Sequence, residues 1–213
     1  MKAPRLRFAL LVLGIAIPVI TGCSTVTVKK PAGDKVAKLD PAVWEGTWRG
    51  ADNFRGASTI KDPAKGLVEF RSLAPDEKKD TVTLTIRELK DKLVATVTGK
   101  QGEESTAFFR IAATEDHITA FLPRLEFFKE AVASGKVAGE IRKTGANPDK
   151  DRKPAAPDSV VLNQFGAAEV DQISLPNKGS AVECFESDPG MVLVREKKPA
   201  KTNGEKKQPG NKK

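Results

Sequence analysis

The feature that most constrains this fold is the alternation of apolar and polar residues in the two halves of residues 81–98, which is clearest over residues 81–86 and 95–98. Threonines separate most of the apolar residues, and a polar Lys90-Asp91 pair divides the run in two. The apolar set consists of Val82, Leu84, Ile86, Leu93, Ala95 and Val97. A period of two indicates a strand with one buried face, and the density of β-branched residues favours strand over helix. The run therefore predicts an antiparallel hairpin that turns at Lys90-Asp91.

Further strand patterns follow at short intervals. Residues 105–112 and 117–122 are rich in apolar and β-branched side chains and are separated by polar turns. Residues 67–73 also alternate, but either face of that strand fits the core. Regularly spaced turns of this kind are typical of antiparallel meanders. We therefore predict a mainly β (α+β) fold, in which an antiparallel meander forms a curved sheet or a small barrel.

Two segments change to a helical period. Leu125, Phe128 and Val132 are spaced at i, i+3 and i+7, and Gly135 stands where a helix C′ residue belongs. This predicts one amphipathic helix near residues 124–134. A second, short helix is predicted near residues 167–174, with Val170 and Ile173 on one face.

The first 22 residues have the composition of a secretory signal peptide. Three basic residues precede the apolar residues 8–20, and small residues follow. A run of 13 residues is too short to span a hydrocarbon core of about 30 Å. We therefore predict that residues 1–22 are a cleaved signal.

The sequence Ile20-Thr21-Gly22-Cys23 resembles the lipobox of bacterial lipoproteins. The resemblance implies that the thiol of Cys23 receives diacylglycerol, that cleavage precedes Cys23, and that the new amine receives a fatty acyl chain such as palmitate. It also implies, through Ser24, an outer-membrane location facing the periplasm. An ordinary signal peptide followed by an unrelated cysteine is the alternative.

The net charge of +8 belongs to the ends of the chain. Residues 196–213 contain seven Lys and two Glu, and residues 24–40 contain four Lys and two Asp. We predict a flexible tether over residues 23–40, a single β-rich domain over residues 41–195 and a disordered basic tail over residues 196–213. The domain is close to neutral, which argues against a nucleic-acid partner. The Lys-rich ends suit anionic lipid or wall polymer, and they equally suit solvated ends that only aid solubility.

The most distinctive pattern of the domain is the Trp-x-Gly-x-Trp at residues 44–48. If residues 43–50 form a strand, Trp44, Gly46 and Trp48 share one face. Gly46-Thr47-Trp48 resembles the Gly-x-Trp of the first strand of lipocalins and related calycin barrels. That resemblance implies that Trp48 plugs the closed end of a barrel and that an arginine packs on it, with Arg195 and Arg142 as the two candidates. Two core tryptophans on an ordinary first strand are the alternative.

Groups for catalysis are scarce. His117 is the single histidine and falls in a predicted turn, and Cys184 lies in an apolar context typical of a small buried residue. The chain contains no phosphate-binding loop, dinucleotide fingerprint or nucleophile elbow. His and Cys lack the spacing of metal ligands. We therefore predict no enzymatic activity, no metal and no cofactor other than the acyl groups on Cys23.

The remaining function classes are binding and interaction. A small β-barrel would bind an apolar ligand or lipid. The candidate lining residues are Phe108, Phe109, Phe127 and Phe128, and since each adjacent pair presents one ring to either side of its element, some of these rings would line the cavity. The same rings equally suit a solid core beneath the predicted helix. The alternative function is a structural lipoprotein that docks envelope proteins or wall polymer without a small-molecule site.

Overall fold

The fold was determined as a computed structural model that describes residues 25–51, 53–73, 81–98, 105–142, 158–173 and 184–196. The predicted signal peptide, Cys23 and residues 197–213 lie outside the described residues. The described part contains twelve strands and three helices. The strands are β1 (Thr25–Val28), β2 (Lys35–Val36), β3 (Gly46–Arg49), β4 (Arg55–Asp62), β5 (Leu67–Ser72), β6 (Thr81–Leu89), β7 (Lys92–Val97), β8 (Thr106–Ala113), β9 (His117–Phe121), β10 (Gly139–Arg142), β11 (Ser159–Leu162) and β12 (Met191–Arg195). The helices are α1 (Pro41–Trp44), α2 (Leu125–Ala133) and α3 (Ala167–Ile173).

Eight of the strands form a closed antiparallel barrel. Strands β3 to β9 pair in sequence order, and β12 closes the barrel by pairing with both β9 and β3. The predicted antiparallel meander is confirmed, and of the two predicted forms the barrel is the one observed. Closure gives each of these strands two neighbours, which removes the exposed edges that an open sheet would leave.

A second, smaller sheet branches from the barrel. Strand β1 pairs in parallel with β11, which pairs with β10, and β1 also pairs with the start of β8 through Val28↔Thr106 and Thr27↔Ala107. Val28 is fully buried, and β2 pairs with β6. The prediction of a flexible tether over residues 23–40 is therefore wrong for residues 25–40. This segment is poor in apolar residues, but Ala32, Ala37 and Leu39 are also buried, so most of its few apolar side chains serve in packing, whereas Val36 is exposed.

The segment before β3 also departs from prediction. Trp44 was expected on the first strand with Gly46 and Trp48, but it ends α1. The carboxylate of Asp40 accepts a hydrogen bond from the Ala42 N–H (2.9 Å), and Pro41 occupies the first helical turn. An Asp cap followed by proline favours a helix start, and this local signal overrides the alternation.

Both predicted helices are confirmed. Helix α2 ends at Ala133, two residues before Gly135, whose φ of 71° is the left-handed conformation expected after a helix C-terminus. Val170 and Ile173 of α3 are buried together, as the pattern predicts. Both helices cover the outside of the barrel.

The fold has two apolar cores. The inner core lies inside the barrel and comprises Ala37, Leu39, Trp44, Trp48, Val68, Phe70, Leu84, Ile86, Ala95, Phe109, Ile111, Ile118, Ala120 and Leu193. The outer core lies between the barrel wall, the small sheet and the helices, and comprises Val26, Val28, Ala32, Leu89, Val94, Phe108, Phe128, Ala131, Val137, Val160, Leu162, Phe165, Val170, Ile173, Cys184 and Phe185. Val68 and Phe70 point into the barrel, which settles the open question of the inward face of β5.

An ion-pair cluster links the end of β12 to β3 and β4. The carboxylate of Glu196 accepts from Arg49 Nε at 2.5 Å and from Arg55 Nη2 at 2.8 Å, and the Glu196 N–H donates to the Thr47 carbonyl at 2.8 Å. Glu196 was predicted to begin the disordered tail, but its side chain is only 13% exposed. Its two arginine partners explain the difference, since both are supplied by distant strands.

The Glu196 cluster predicts acid sensitivity. Hydrogen bonds from Arg55 and then Arg49 lower the pKa of Glu196. The resulting stabilisation is complete above the unfolded pKa of about 4.3 and is lost as the pH falls through the lower folded value. We expect the melting temperature of Glu196→Gln to fall less steeply than that of the wild type on acidification below about pH 4.3. Thermal unfolding followed by circular dichroism measures this.

The control for that measurement is Glu130→Gln, which alters an exposed residue of α2. It should leave the acid limb of the wild-type curve unchanged. Parallel curves for the wild type and Glu196→Gln would contradict a stabilising role for the cluster.

Candidate functional site

The interior of the barrel is apolar. The buried polar side chains among the described residues are Ser58, Ser72 and Thr96, and none of them is charged. Thr96 belongs to the outer wall, where its hydroxyl accepts from the Ala32 N–H at 2.9 Å. The described residues therefore place no buried acid or base in the interior. It suits apolar contact with a ligand rather than proton transfer.

Small side chains occupy several inward positions. Ser58, Ser72, Ala95 and Ala120 are all buried, and they alternate with the larger side chains of the inner core. An eight-stranded barrel is just wide enough for side chains to fill it or for one small ligand to bind inside.

The closed end of the barrel is where β3 begins and β12 ends, and Trp48 seals it. Trp48 is fully buried, and its Nε1–H donates to Ser58 Oγ at 2.7 Å. The Ser58 hydroxyl in turn donates to the Trp44 carbonyl at 2.5 Å. This chain of hydrogen bonds satisfies the polar atoms that the plug buries, which removes a cost of about 1–3 kcal/mol per unpaired group.

Arg195 covers this plug from the outside. Its guanidinium carbon lies 4.3 Å from the centre of the Trp48 ring. Nη1 donates to the Glu45 carbonyl at 2.5 Å, and Nη2 donates to the carbonyls of Ala42 at 2.7 Å and Val43 at 2.9 Å. Nε donates to the Glu115 carbonyl. One side chain therefore joins the last strand to α1, to the turn before β9 and to the first barrel strand.

The spacing of Gly46 and Trp48 has a direct steric reason. A Cβ added at Gly46 would overlap Nη1 of Arg195. Gly46 precedes Trp48 by two positions and faces the same way, so a larger residue would displace the guanidinium from the ring. The structure thus places the predicted structural residues Trp44, Gly46, Trp48 and Arg195 together.

The other candidate arginine lies elsewhere. Arg142 ends β10 in the small sheet, and its Nη2 pairs with Glu140 Oε1 at 2.6 Å. About half of its side chain is exposed. Arg195 is therefore the residue that occupies the place implied by the lipocalin resemblance.

The four phenylalanines predicted to line a cavity are divided between the cores. Phe109 points into the barrel, whereas Phe108 and Phe128 belong to the outer core and Phe127 lies at its margin. The rings of Phe108 and Phe128 meet edge to face with centroids 6.0 Å apart. Of the four candidates, Phe109 alone faces the barrel interior, because adjacent residues of a strand point to opposite sides of the wall and both sides are covered.

Phe54 is an interior-facing residue that the sequence analysis missed. It lies on the β3–β4 turn and packs against the inner core, beside Gly56, which pairs with Trp48. A Cβ added at Gly56 would lie 2.7 Å from its Cζ, and one added at Gly50 would lie 3.2 Å from its Cδ1. The flanking glycines were the available signal, since they leave room for the ring on both sides.

Arg110 is an unusual cation on the outer wall. Its guanidinium carbon lies 3.6 Å from the centre of the Phe121 ring, and burial lowers its pKa. Its buried Nε has no hydrogen-bond partner. Within the described residues, Arg110 is held by the aromatic ring rather than by an ion pair.

The groups considered for chemistry are separated. His117 is exposed at the start of β9, and Cys184 is buried in the outer core. In the part of the chain that the structure describes, no three His, Cys, Asp or Glu side chains gather where they could hold a metal ion. Over the same residues, no helix has both the length and the apolar character needed to cross a bilayer.

Comparisons with known proteins found no matching family model, no matching curated protein and no matching solved structure.

The Arg195 contacts predict a large effect of a conservative change. Arg195→Lys retains the charge but cannot reach the Ala42, Val43 and Glu45 carbonyls together, since an ammonium lacks the planar fork of donors. Each hydrogen bond to a charged donor contributes about 1.5–3 kcal/mol, so we expect the free energy of unfolding to fall by about 3 kcal/mol or more. Urea denaturation measures the change.

Arg142→Lys is the matched control. It alters a half-exposed pair at the surface and should change the free energy of unfolding by less than about 1 kcal/mol. Equal losses for the two variants would contradict the special role of Arg195.

Proposed function

We propose that this protein is a lipoprotein of the bacterial cell envelope whose barrel binds an apolar ligand or lipid. Diacylglycerol and a fatty acyl chain on Cys23 anchor it, on the outer membrane facing the periplasm. The observation that carries the binding proposal is a closed eight-stranded barrel with an apolar interior and one sealed end. Closed up-and-down barrels of this size include ligand carriers such as lipocalins.

The geometry around Trp48 supports the lipocalin-like reading. The Gly-x-Trp resemblance implies a tryptophan plug covered by an arginine from the end of the barrel. Arg195 meets that description, because it ends β12 and stacks on Trp48. The added hydrogen bonds to α1 make the sealed end rigid, so a ligand would enter from the opposite end of the barrel.

The binding reaction requires no catalytic group. An apolar ligand would contact inward side chains such as Phe70, Leu84 and Phe109, which are all buried. Burial of apolar surface contributes roughly 25 cal/mol per Å² removed from water. The shape of the interior would then decide which apolar molecule fits.

A second candidate function has one supporting observation. Leu122, Val192 and Val194 are large apolar residues that are 40–45% exposed on the outer face of β12 and beside it. Leu122 lies against Gly190, so the three side chains form a short strip. An exposed strip suits protein–protein contact, as in a lipoprotein that docks envelope proteins, with wall polymer or anionic lipid held by the Lys-rich ends.

Filling the interior tests the binding proposal. Ala120 faces into the barrel and Thr119 faces out on the same strand. We expect Ala120→Phe to weaken binding of a fluorescent apolar probe by about tenfold or more, the equivalent of about 1.4 kcal/mol, because the ring takes the ligand's space. Fluorescence titration of the purified protein measures the affinity.

Thr119→Phe provides the matched control, since it adds the same ring to the outer face. It should bind the probe as the wild type does, and melting curves of both variants establish that they are folded. Unchanged probe binding in a folded Ala120→Phe would contradict a site inside the barrel. Loss of binding in Thr119→Phe instead would move the site to the outer surface.

A further inference from the structure

The first described residues are already part of the packed fold. Thr25 pairs with Ser159 and Val26 with Val160 in the parallel β1–β11 ladder. Val26 and Val28 are 4% and 0% exposed. Residue 25 is therefore already part of the folded body.

Chain geometry then limits how far the body can lie from Cys23. Only Ser24 separates Cys23 from Thr25. A fully extended residue spans at most about 3.6 Å, so the Cα atoms of Cys23 and Thr25 are at most about 7 Å apart. Acyl chains on Cys23 would therefore bring the start of β1 to the level of the lipid headgroups.

The surface concerned is one end of the small sheet. Thr25 is beside Ser159, and Ser159 is beside Arg142 in the antiparallel β10–β11 pair. Asp158 precedes Ser159 and pairs with Lys129 of α2 at 3.2 Å. We name these four residues, Thr25, Arg142, Asp158 and Ser159, the anchor end.

We infer that the anchor end rests directly on the membrane in which the acyl chains are embedded. The inference rests on the proposed acylation of Cys23, and it deepens that proposal by naming the protein surface that faces the lipid. The body is held at the bilayer surface rather than suspended in the periplasm. The partner is a lipid surface. The body stays against that surface because only Ser24 lies between Cys23 and Thr25.

Among the described residues, the charges of the anchor end are balanced. Arg142 pairs with Glu140, and Lys129 pairs with both Glu126 and Asp158. Attraction to anionic headgroups is therefore a minor contribution at this surface. The contact should form equally on zwitterionic and anionic lipid, which separates it from binding through the basic tail.

The experiment uses the acylated full-length mature protein reconstituted into phosphatidylcholine vesicles that carry a nitroxide on a fraction of the headgroups. A fluorophore is attached to Arg142→Cys at the anchor end or to Thr59→Cys. Thr59 is exposed on β4, on the opposite wall of the barrel from β8. Cys184 is 1% exposed, so the introduced thiol is the one that reacts. We expect several-fold stronger quenching at position 142 than at position 59.

A linker variant tests the cause. Insertion of a flexible Gly-Ser segment of ten residues between Ser24 and Thr25 adds a reach of roughly 17 Å, and it should reduce quenching at position 142 to that at position 59. Equal quenching at both positions in vesicle-bound protein without the insertion would overturn the inference, and so would strong quenching that the insertion leaves unchanged.

Fractionation of cells separates this result from the proposed function. Wild-type protein should be acylated and membrane-bound, and Cys23→Ser should appear in the soluble envelope fraction. Soluble, unacylated wild type, or membrane-bound Cys23→Ser, would overturn both the anchor and the inference. Anchored protein with equal quenching at the two positions overturns the inference alone.

Discussion

The stacking of Arg195 on Trp48 is the interaction on which the barrel depends. The guanidinium lies 4.3 Å from the ring and donates to carbonyls of Ala42, Val43 and Glu45. The first and last strands of the barrel are far apart in sequence, so their pairing carries a large entropic cost of loop closure. The Arg195 contact joins β3 and β12 to α1. It therefore offsets that cost at the point where the barrel closes. Gly46 is required there because any side chain would occupy the space of the guanidinium.

Closure by this contact has consequences for the rest of the molecule. The described residues between β9 and β12 lie outside the barrel. They form α2, β10, β11 and α3, which cover the outer wall. The barrel wall is thereby buried on both sides over β8, where Phe108 packs outward and Phe109 packs inward. The outer layer also includes β1, so the residues that follow Cys23 are built into the body.

Much of the barrel was predictable from local patterns. The alternation of residues 81–98 predicts β6 and β7, and Gly135 predicts the end of α2. Those patterns are local, and each element buries one face. Segments in which only a few side chains are buried show no periodic pattern of apolar residues. Residues 25–40 are an example, since Val28, Ala32 and Ala37 are buried by partners far away in sequence.

The difference between local patterns and long-range contacts also explains why the candidate site was predicted only in part. The closed end could be predicted because the Gly-x-Trp spacing is a short motif and because Arg195 ends the last predicted strand. The lining was harder to predict, since alternation assigns Phe108 and Phe109 to opposite faces without showing that both faces are covered. Phe54 was missed because it lies on a turn, where no alternation marks its direction.

The central claim is that the sealed barrel holds an apolar molecule, and native mass spectrometry tests it most directly. The protein is purified from its own envelope and examined under conditions that retain non-covalent ligands. The account predicts a discrete added mass, beyond the covalent acyl groups, that organic solvent removes. The claim would be contradicted by a spectrum that shows only the acylated chain, if the same protein also fails to bind an apolar probe.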